Sequence, residues 1–83
     1  MKERVVTRDN QHTVEGWLRR NSRVSIYQRG PRGDHAEPAL FRIFDGIAWR
    51  TVWHGDTVRL LFDGTEPGRR KVQVIHANGG LRP

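Results

Sequence analysis

Apolar positions along this chain recur mainly at every second residue, and they are rich in Val, Ile, Phe and Trp. Because successive side chains of a strand point to opposite faces, this spacing predicts a chain built mainly from β-strands. We expect strands over residues 4–8, 23–29, 40–44, 47–53, 57–62 and 71–76. Short strands with turn signals between them are typical of a small antiparallel β-barrel or sandwich, and we expect an SH3-like or OB-like architecture.

The segment 13–20 fits two structures. Thr13 is a suitable N-cap for a short helix, on which Val14, Trp17 and Leu18 would share one face. Gly16, however, costs a helix interior about 1 kcal/mol relative to Ala, and the apolar positions also alternate. We therefore predict a strand over 13–20 and keep a short helix as the alternative.

A first hairpin is predicted around Asp45-Gly46. This dipeptide is a strong signal for a two-residue turn, because a type I′ turn needs positive φ at both central positions. Such a turn places Phe44 opposite Ile47 and Arg42 opposite Trp49. One face of the hairpin then carries Phe41, Ile43 and Val52, and we expect this face to be buried because its smaller and branched side chains pack readily.

A second hairpin pairs 57–62 with 71–76, and its inward side chains are expected to be Val58, Leu60, Phe62, Val72 and Val74. His54-Gly55-Asp56 predicts a turn between the two hairpins. The segment 30–38 holds two Gly and two Pro, which predicts a mobile or functional loop, and 77–83 is expected to be a frayed tail. We expect residues 1–83 to form a single small β domain.

Composition narrows the function classes. The absence of Cys excludes disulfides, thiolate zinc sites and cysteine nucleophiles, and the four His lack the spacing that builds a metal site locally. We therefore expect no cofactor and no metal. No apolar run approaches the roughly 20 residues that a membrane span needs. We expect a cytoplasmic protein without a membrane partner.

The charge is basic and uneven. The 83 residues carry 15 Lys+Arg against 9 Asp+Glu, a formal net charge of +6. Eight of the basic residues lie in 1–33, and 69–83 holds four more without an acidic residue. If both ends of the chain meet on one surface, that surface suits nucleic acid or an acidic protein. A genome rich in GC also favours Arg codons, which is the alternative source of the Arg excess.

Arg42, Trp49 and Trp53 lie near the surface if the opposite face of their hairpin is buried. A Trp ring beside a guanidinium is suited to stacking bases, which contributes about 1–3 kcal/mol per base. In the alternative interpretation these Trp residues belong to the core, and Arg42 lies across Trp49 as a cation–π lid.

The basic and aromatic residues together define the nucleic-acid-binding site that we predict. Its members are Arg19, Arg20, Arg23, Tyr27, Arg29, Arg32, Arg42, Trp49, Trp53, Arg69, Arg70 and Lys71. Two of its basic clusters lie at predicted strand ends next to turns, where long side chains reach solvent and phosphates. They are Arg19, Arg20 and Arg23, and Arg69, Arg70 and Lys71. In the alternative interpretation they form a solvated surface that protects the sheet from edge pairing.

Three functions follow from these features. The first is a small basic module without catalysis that binds nucleic acid. The second is a phage- or plasmid-type interaction module, or a virion component, that docks on an acidic host protein surface and uses Tyr27, Trp49 or Trp53 as anchors. Free sheet edges would also permit a homodimer. The third is a toxin-type ribonuclease, in which the converging residues would be His12, Glu15, Arg19 and His76.

Overall fold

Two small antiparallel sheets and one helix make up the described part of the chain. The structure is a computed structural model and describes residues 2–27, 39–61 and 71–77. Its elements are β1 (Glu3–Val5), α1 (Gln11–Asn21), β2 (Ile26–Tyr27), β3 (Phe41–Phe44), β4 (Trp49–Val52), β5 (Thr57–Leu61) and β6 (Lys71–Ile75). The first sheet has the order β1-β5-β6 and the second the order β2-β3-β4. The prediction of a mainly β chain is confirmed. The loop predicted over 30–38 lies outside the described residues, as does most of the predicted tail.

The strand predicted over 13–20 is wrong, because this segment is the core of α1. The turn before the helix is closed by two reciprocal hydrogen bonds. The Thr7 N–H donates to Asn10 Oδ1 at 2.7 Å, and the Asn10 N–H donates to Thr7 Oγ1 at 3.2 Å. The Asn10 carbonyl then accepts the Val14 N–H at 2.9 Å, which begins the helical pattern. Asn10, rather than Thr13, is therefore the N-cap residue.

Burial explains why the helix is preferred despite Gly16. Val14, Trp17 and Leu18 share one face and are buried in the core. Each such side chain contributes about 1.5–3 kcal/mol on burial, which together exceeds the glycine penalty of about 1 kcal/mol. At the other end, the backbone N–H and the hydroxyl of Ser22 both donate to the Leu18 carbonyl, at 2.8 and 2.6 Å, and the helix stops there.

The first hairpin forms as β3 and β4, but the predicted two-residue turn is wrong. Phe44 lies opposite Trp49 and not opposite Ile47, so four residues, 45–48, connect the strands. Asp45 Oδ1 accepts the N–H groups of Ile47 and Ala48, at 2.8 and 2.9 Å, which stabilises the wider turn. A register shift of two residues keeps the paired residues of β3 and β4 on their predicted faces. The face with Phe41, Ile43 and Val52 is buried, as expected.

The second hairpin is confirmed as β5 and β6. Leu60 lies opposite Val72, and both are buried with Val58, while Val74 is partly buried against the same core. Phe62 lies outside the described residues. The first strand is shorter than predicted, since β1 ends at Val5; it pairs with β5 along the side that β6 leaves free.

One hydrophobic core joins both sheets and the helix. Its members are Val6, Val14, Trp17, Leu18, Leu40, Phe41, Ile43, Val52, Val58, Leu60 and Val72. The predicted turn between the hairpins is also present, and Gly55 adopts a φ of +92° there, a conformation that favours glycine. Two edge strands, β4 of the second sheet and β6 of the first, lie next to each other on one side of this core.

Candidate functional site

The solvent-facing side of the second sheet carries three aromatic rings and an arginine, which we call the aromatic platform: Tyr27, Arg42, Phe44 and Trp49. Strand pairing creates it, because Tyr27 lies opposite Arg42 and Phe44 lies opposite Trp49. The Arg42 guanidinium carbon lies 5.3 Å from the centre of the Tyr27 ring and 5.8 Å from that of Trp49. Phe44 packs edge-on against Trp49, with ring centres 5.7 Å apart. The guanidinium is thus held between two rings.

The rings of the aromatic platform are open to solvent. Tyr27 is 48% exposed, Trp49 47% and Phe44 36%, and Ile47 in the adjoining turn is 84% exposed. Arg42 Nε is buried and has no hydrogen-bond partner among the described residues. Contiguous exposed aromatic and apolar side chains of this kind mark interaction surfaces.

Trp53 does not belong to the aromatic platform, so its predicted surface position is wrong. The residue is 7% exposed. Strand β4 ends at Val52, and the Trp53 N–H already donates to Asp56 Oδ2 at 2.8 Å within the following turn. The alternation that would have brought Trp53 to the surface therefore stops one residue too early. For Trp53, the alternative interpretation of a buried aromatic is the correct one.

Several predicted basic residues are exposed. Arg19 and Arg20 lie in the last turn of α1, Arg23 precedes β2, and Lys71 begins β6. Arg23 and Tyr27 alternate on the exposed side of their segment, as predicted. Four other predicted members lie outside the described residues: Arg29, Arg32, Arg69 and Arg70. These four exposed cations thus lie at or near the ends of helix α1 and strands β2 and β6.

Other arginines are occupied by acidic or aromatic neighbours. Arg50 Nε lies 2.6 Å from Asp45 Oδ2, and an Arg59 Nη lies 3.4 Å from a carboxylate oxygen of Glu3. Hydrogen bonds from Ala48, Arg50 and Ile47 lower the pKa of Asp45 to about 2, so its charge persists and neutralises Arg50. These pairs remove two cations from any phosphate-binding surface.

Asp56 and His76 form a buried hydrogen-bonded pair that the sequence interpretation missed. Asp56 is fully buried; its Oδ2 lies 2.8 Å from His76 Nδ1, and its Oδ1 accepts the Ala77 N–H at 3.0 Å. With the Trp53 N–H, the carboxylate thus binds the turn to the end of β6. The register of the second hairpin could have revealed this pair. Because Thr57 lies opposite Ile75, the next pair outward is Asp56 with His76.

The four residues considered for a ribonuclease separate into different contacts. His12 Nδ1 lies 3.9 Å from Glu15 Oε2 on α1, whereas His76 is bound to Asp56. Arg19 is exposed at the end of the helix. Across residues 2–27, 39–61 and 71–77, no three His, Cys, Asp or Glu side chains gather closely enough to hold a metal ion. None of the helices in these ranges has the length and apolar character that crossing a bilayer requires.

A cleft of about 620 Å³ is lined by residues of both edge strands, β4 and β6, and we call it the edge cleft. Trp49 and Thr51 contribute to its wall from β4, and Lys71 and Gln73 from β6. His76 lies at the far end of the β6 side. Trp49 is therefore shared between the aromatic platform and the edge cleft.

Comparisons with protein-family models, with curated proteins and with solved structures find no match to this chain.

Proposed function

We propose that this protein is a small non-enzymatic module that binds single-stranded nucleic acid, with bases stacking on the aromatic platform. The observation that carries the proposal is the arrangement of Tyr27, Arg42 and Trp49, in which an arginine lies between two half-exposed rings. Bases inside a duplex are already stacked on each other, whereas unpaired bases are free to stack on protein rings.

Energetics favour this use of the platform. Each base stacked on an aromatic side chain contributes about 1–3 kcal/mol, and the contact tolerates any base because every base has a π-face. Arg42 adds a positive charge within the stack without needing an acidic partner. The exposed cations Arg19, Arg20 and Arg23, together with the net charge of +6, support attraction of the phosphate backbone.

The proposal also covers the architecture of the two sheets. We infer that the two three-stranded sheets are the halves of a partly open barrel of the SH3-like or OB-like kind, in which the edges of β4 and β6 leave a gap. Barrels of this kind bind single strands across an exposed sheet face. Here that face is the solvent side of the second sheet.

Tryptophan fluorescence provides a direct test. Trp17 and Trp53 are 6% and 7% exposed, so contact quenching by a bound base should come from Trp49. We expect titration with oligo(dT) or oligo(U) to quench part of the emission. Trp49→Phe should keep binding, measured by anisotropy of a labelled oligonucleotide, and lose most of the quenching. Trp49→Ala should lose both.

A matched control separates stacking from general charge attraction. Val5→Ala removes apolar surface from an exposed residue of the first sheet and should leave binding unchanged. Tyr27→Ala should weaken binding by about tenfold, which corresponds to the loss of about 1.4 kcal/mol from a stacked base. Equal affinities for wild type, Trp49→Ala and Tyr27→Ala would reduce the interaction to nonspecific charge and refute the platform.

Ile47 favours a second candidate, a protein-interaction module. An isoleucine that is 84% exposed beside Trp49 adds apolar surface that base stacking does not use. A protein partner should lose affinity with Ile47→Ser, whereas an oligonucleotide should not. Absence of any oligonucleotide binding, with partner capture that depends on Ile47, would replace the first proposal by the second.

A further inference from the structure

The edge cleft provides a second surface directly beside the aromatic platform. We propose that it binds the continuation of the same nucleic-acid strand, with a backbone phosphate at Lys71; this inference rests on the proposed function above. Trp49 carries the connection, because its ring belongs to the platform and also lines the edge cleft. A strand that stacks a base on Trp49 therefore has the edge cleft as its adjacent path.

The charges lining the edge cleft identify where the phosphate binds. Arg50 is neutralised by Asp45 at 2.6 Å, and His76 Nδ1 is held by Asp56 at 2.8 Å. Lys71, by contrast, is exposed and has no ion-pair partner among the described residues. An ammonium group without a carboxylate neighbour is suited to binding a phosphate, and it gains from releasing the counterions of the strand.

Hydrogen-bonding groups along the edge cleft suit a sugar-phosphate backbone. Both β4 and β6 are edge strands, so backbone N–H groups on their cleft sides are not used by a neighbouring strand of the described sheets. Such N–H groups donate to phosphate oxygens. Thr51 and Gln73 add side-chain donors and acceptors to the walls. These contacts read the backbone and not the base sequence.

The length of the edge cleft leads to a measurable consequence. Lys71 and His76 lie five residues apart on the β6 side, which corresponds to about 16 Å of extended chain. A very short oligonucleotide that stacks on the aromatic platform leaves most of the edge cleft empty. A longer one reaches both surfaces, so affinity should rise with length until the edge cleft is filled.

The experiment measures affinity against oligo(dT) length for wild type and for two lysine variants. Lys2 is the matched control, because it is also an exposed lysine but lies just before β1, away from the edge cleft. Lys71→Gln should lower the affinity for long oligonucleotides by about fourfold at 0.15 M salt. The reason is that each lost phosphate contact reduces the slope of log K against log salt concentration by about 0.7. The loss should be largest for the oligonucleotides that fill the edge cleft, and Lys2→Gln should leave the affinity unchanged at every length.

A second variant tests whether the strand needs the free volume of the edge cleft. Gln73→Trp places a bulky side chain at the exposed edge of β6 and should abolish the gain in affinity with length while leaving short oligonucleotides bound. Circular dichroism of each variant identifies any that does not fold. The edge-cleft proposal alone is overturned if Trp49 quenching persists, affinity does not rise with length, and Lys71→Gln binds with the same affinity as Lys2→Gln. Absence of quenching at every length overturns the platform as well.

Discussion

Replacing Asp56 by Ala tests the buried carboxylate that binds the inter-hairpin turn to the end of β6. The side chain is fully buried and accepts three hydrogen bonds, from the N–H groups of Trp53 and Ala77 and from His76 Nδ1. The substitution removes the acceptor of all three of these hydrogen bonds. We therefore expect a large loss of stability from a residue that touches no proposed ligand.

The size of the stability loss depends on how well water can replace the carboxylate acceptor that the substitution removes. The Trp53 N–H belongs to a buried residue, and leaving such a donor unsatisfied costs about 1–3 kcal/mol. Ala77 is exposed and the His76 side chain is 15% exposed, so both donors recover part of their hydrogen bonding from water. We expect a total of about 2–4 kcal/mol, against about 4–12 kcal/mol of total stability for a chain of this size.

The assay is thermal and urea unfolding followed by circular dichroism. A loss of about 2–4 kcal/mol lowers the melting temperature of a domain this small by roughly 10–25 °C. Asp9→Ala is the control, because Asp9 is an exposed carboxylate in the turn before α1 and should change stability by less than about 0.5 kcal/mol. Asp56→Asn keeps one acceptor oxygen and should lie between the two. If Asp56→Ala unfolds with the same midpoint as Asp9→Ala, the hydrogen bonds of the buried Asp56 carboxylate do not stabilise the fold.

Four further outcomes are expected. Phe41→Ala should lower the unfolding free energy in urea by about 3–5 kcal/mol, because the side chain is fully buried. Gly46→Ala should cost about 1 kcal/mol in the same assay, since φ is +101° although no atom blocks a Cβ. Because the folded-state pKa of Asp45 is about 2 against an ordinary 3.8, its stabilisation is present above about pH 4 and is lost as pH falls through 2. Asp45→Asn should therefore flatten acid unfolding in that window, by about 1 kcal/mol rather than the roughly 2 kcal/mol that the pKa difference alone gives, because water screens this exposed pair. Trp49→Ala should change the melting temperature only slightly, because the ring is half-exposed.

Strand faces were predictable because a register error of two residues does not change which side chains share a face. The turn at 45–48 is two residues longer than its sequence signal indicated, yet Phe41 and Ile43 are buried as expected. A shift of one residue would have reversed both faces. The helix was not predictable by the same rule, because Val14, Trp17 and Leu18 fit either pattern until tertiary burial decides between them.

The aromatic platform was predictable in part. The shared face of Arg42 and Trp49 followed from the hairpin alone, because any even shift of register keeps it. Their predicted direct pairing was wrong, since Arg42 lies opposite Thr51. The position of Tyr27 beside Arg42 did not, because it depends on the pairing of β2 with β3 across a long intervening segment. Trp53 was misplaced for a local reason, namely that β4 ends one residue before it.

The pairing of β1 with β5 has a consequence for how the protein folds. Glu3 lies opposite Arg59, so the ladder between β1 and β5 joins segments that are far apart along the chain. Closing so long a loop is entropically costly, whereas each hairpin joins neighbouring segments. We expect the hairpins to form early and the amino-terminal strand to dock last, so that truncating it should alter the unfolding rate far more than the refolding rate.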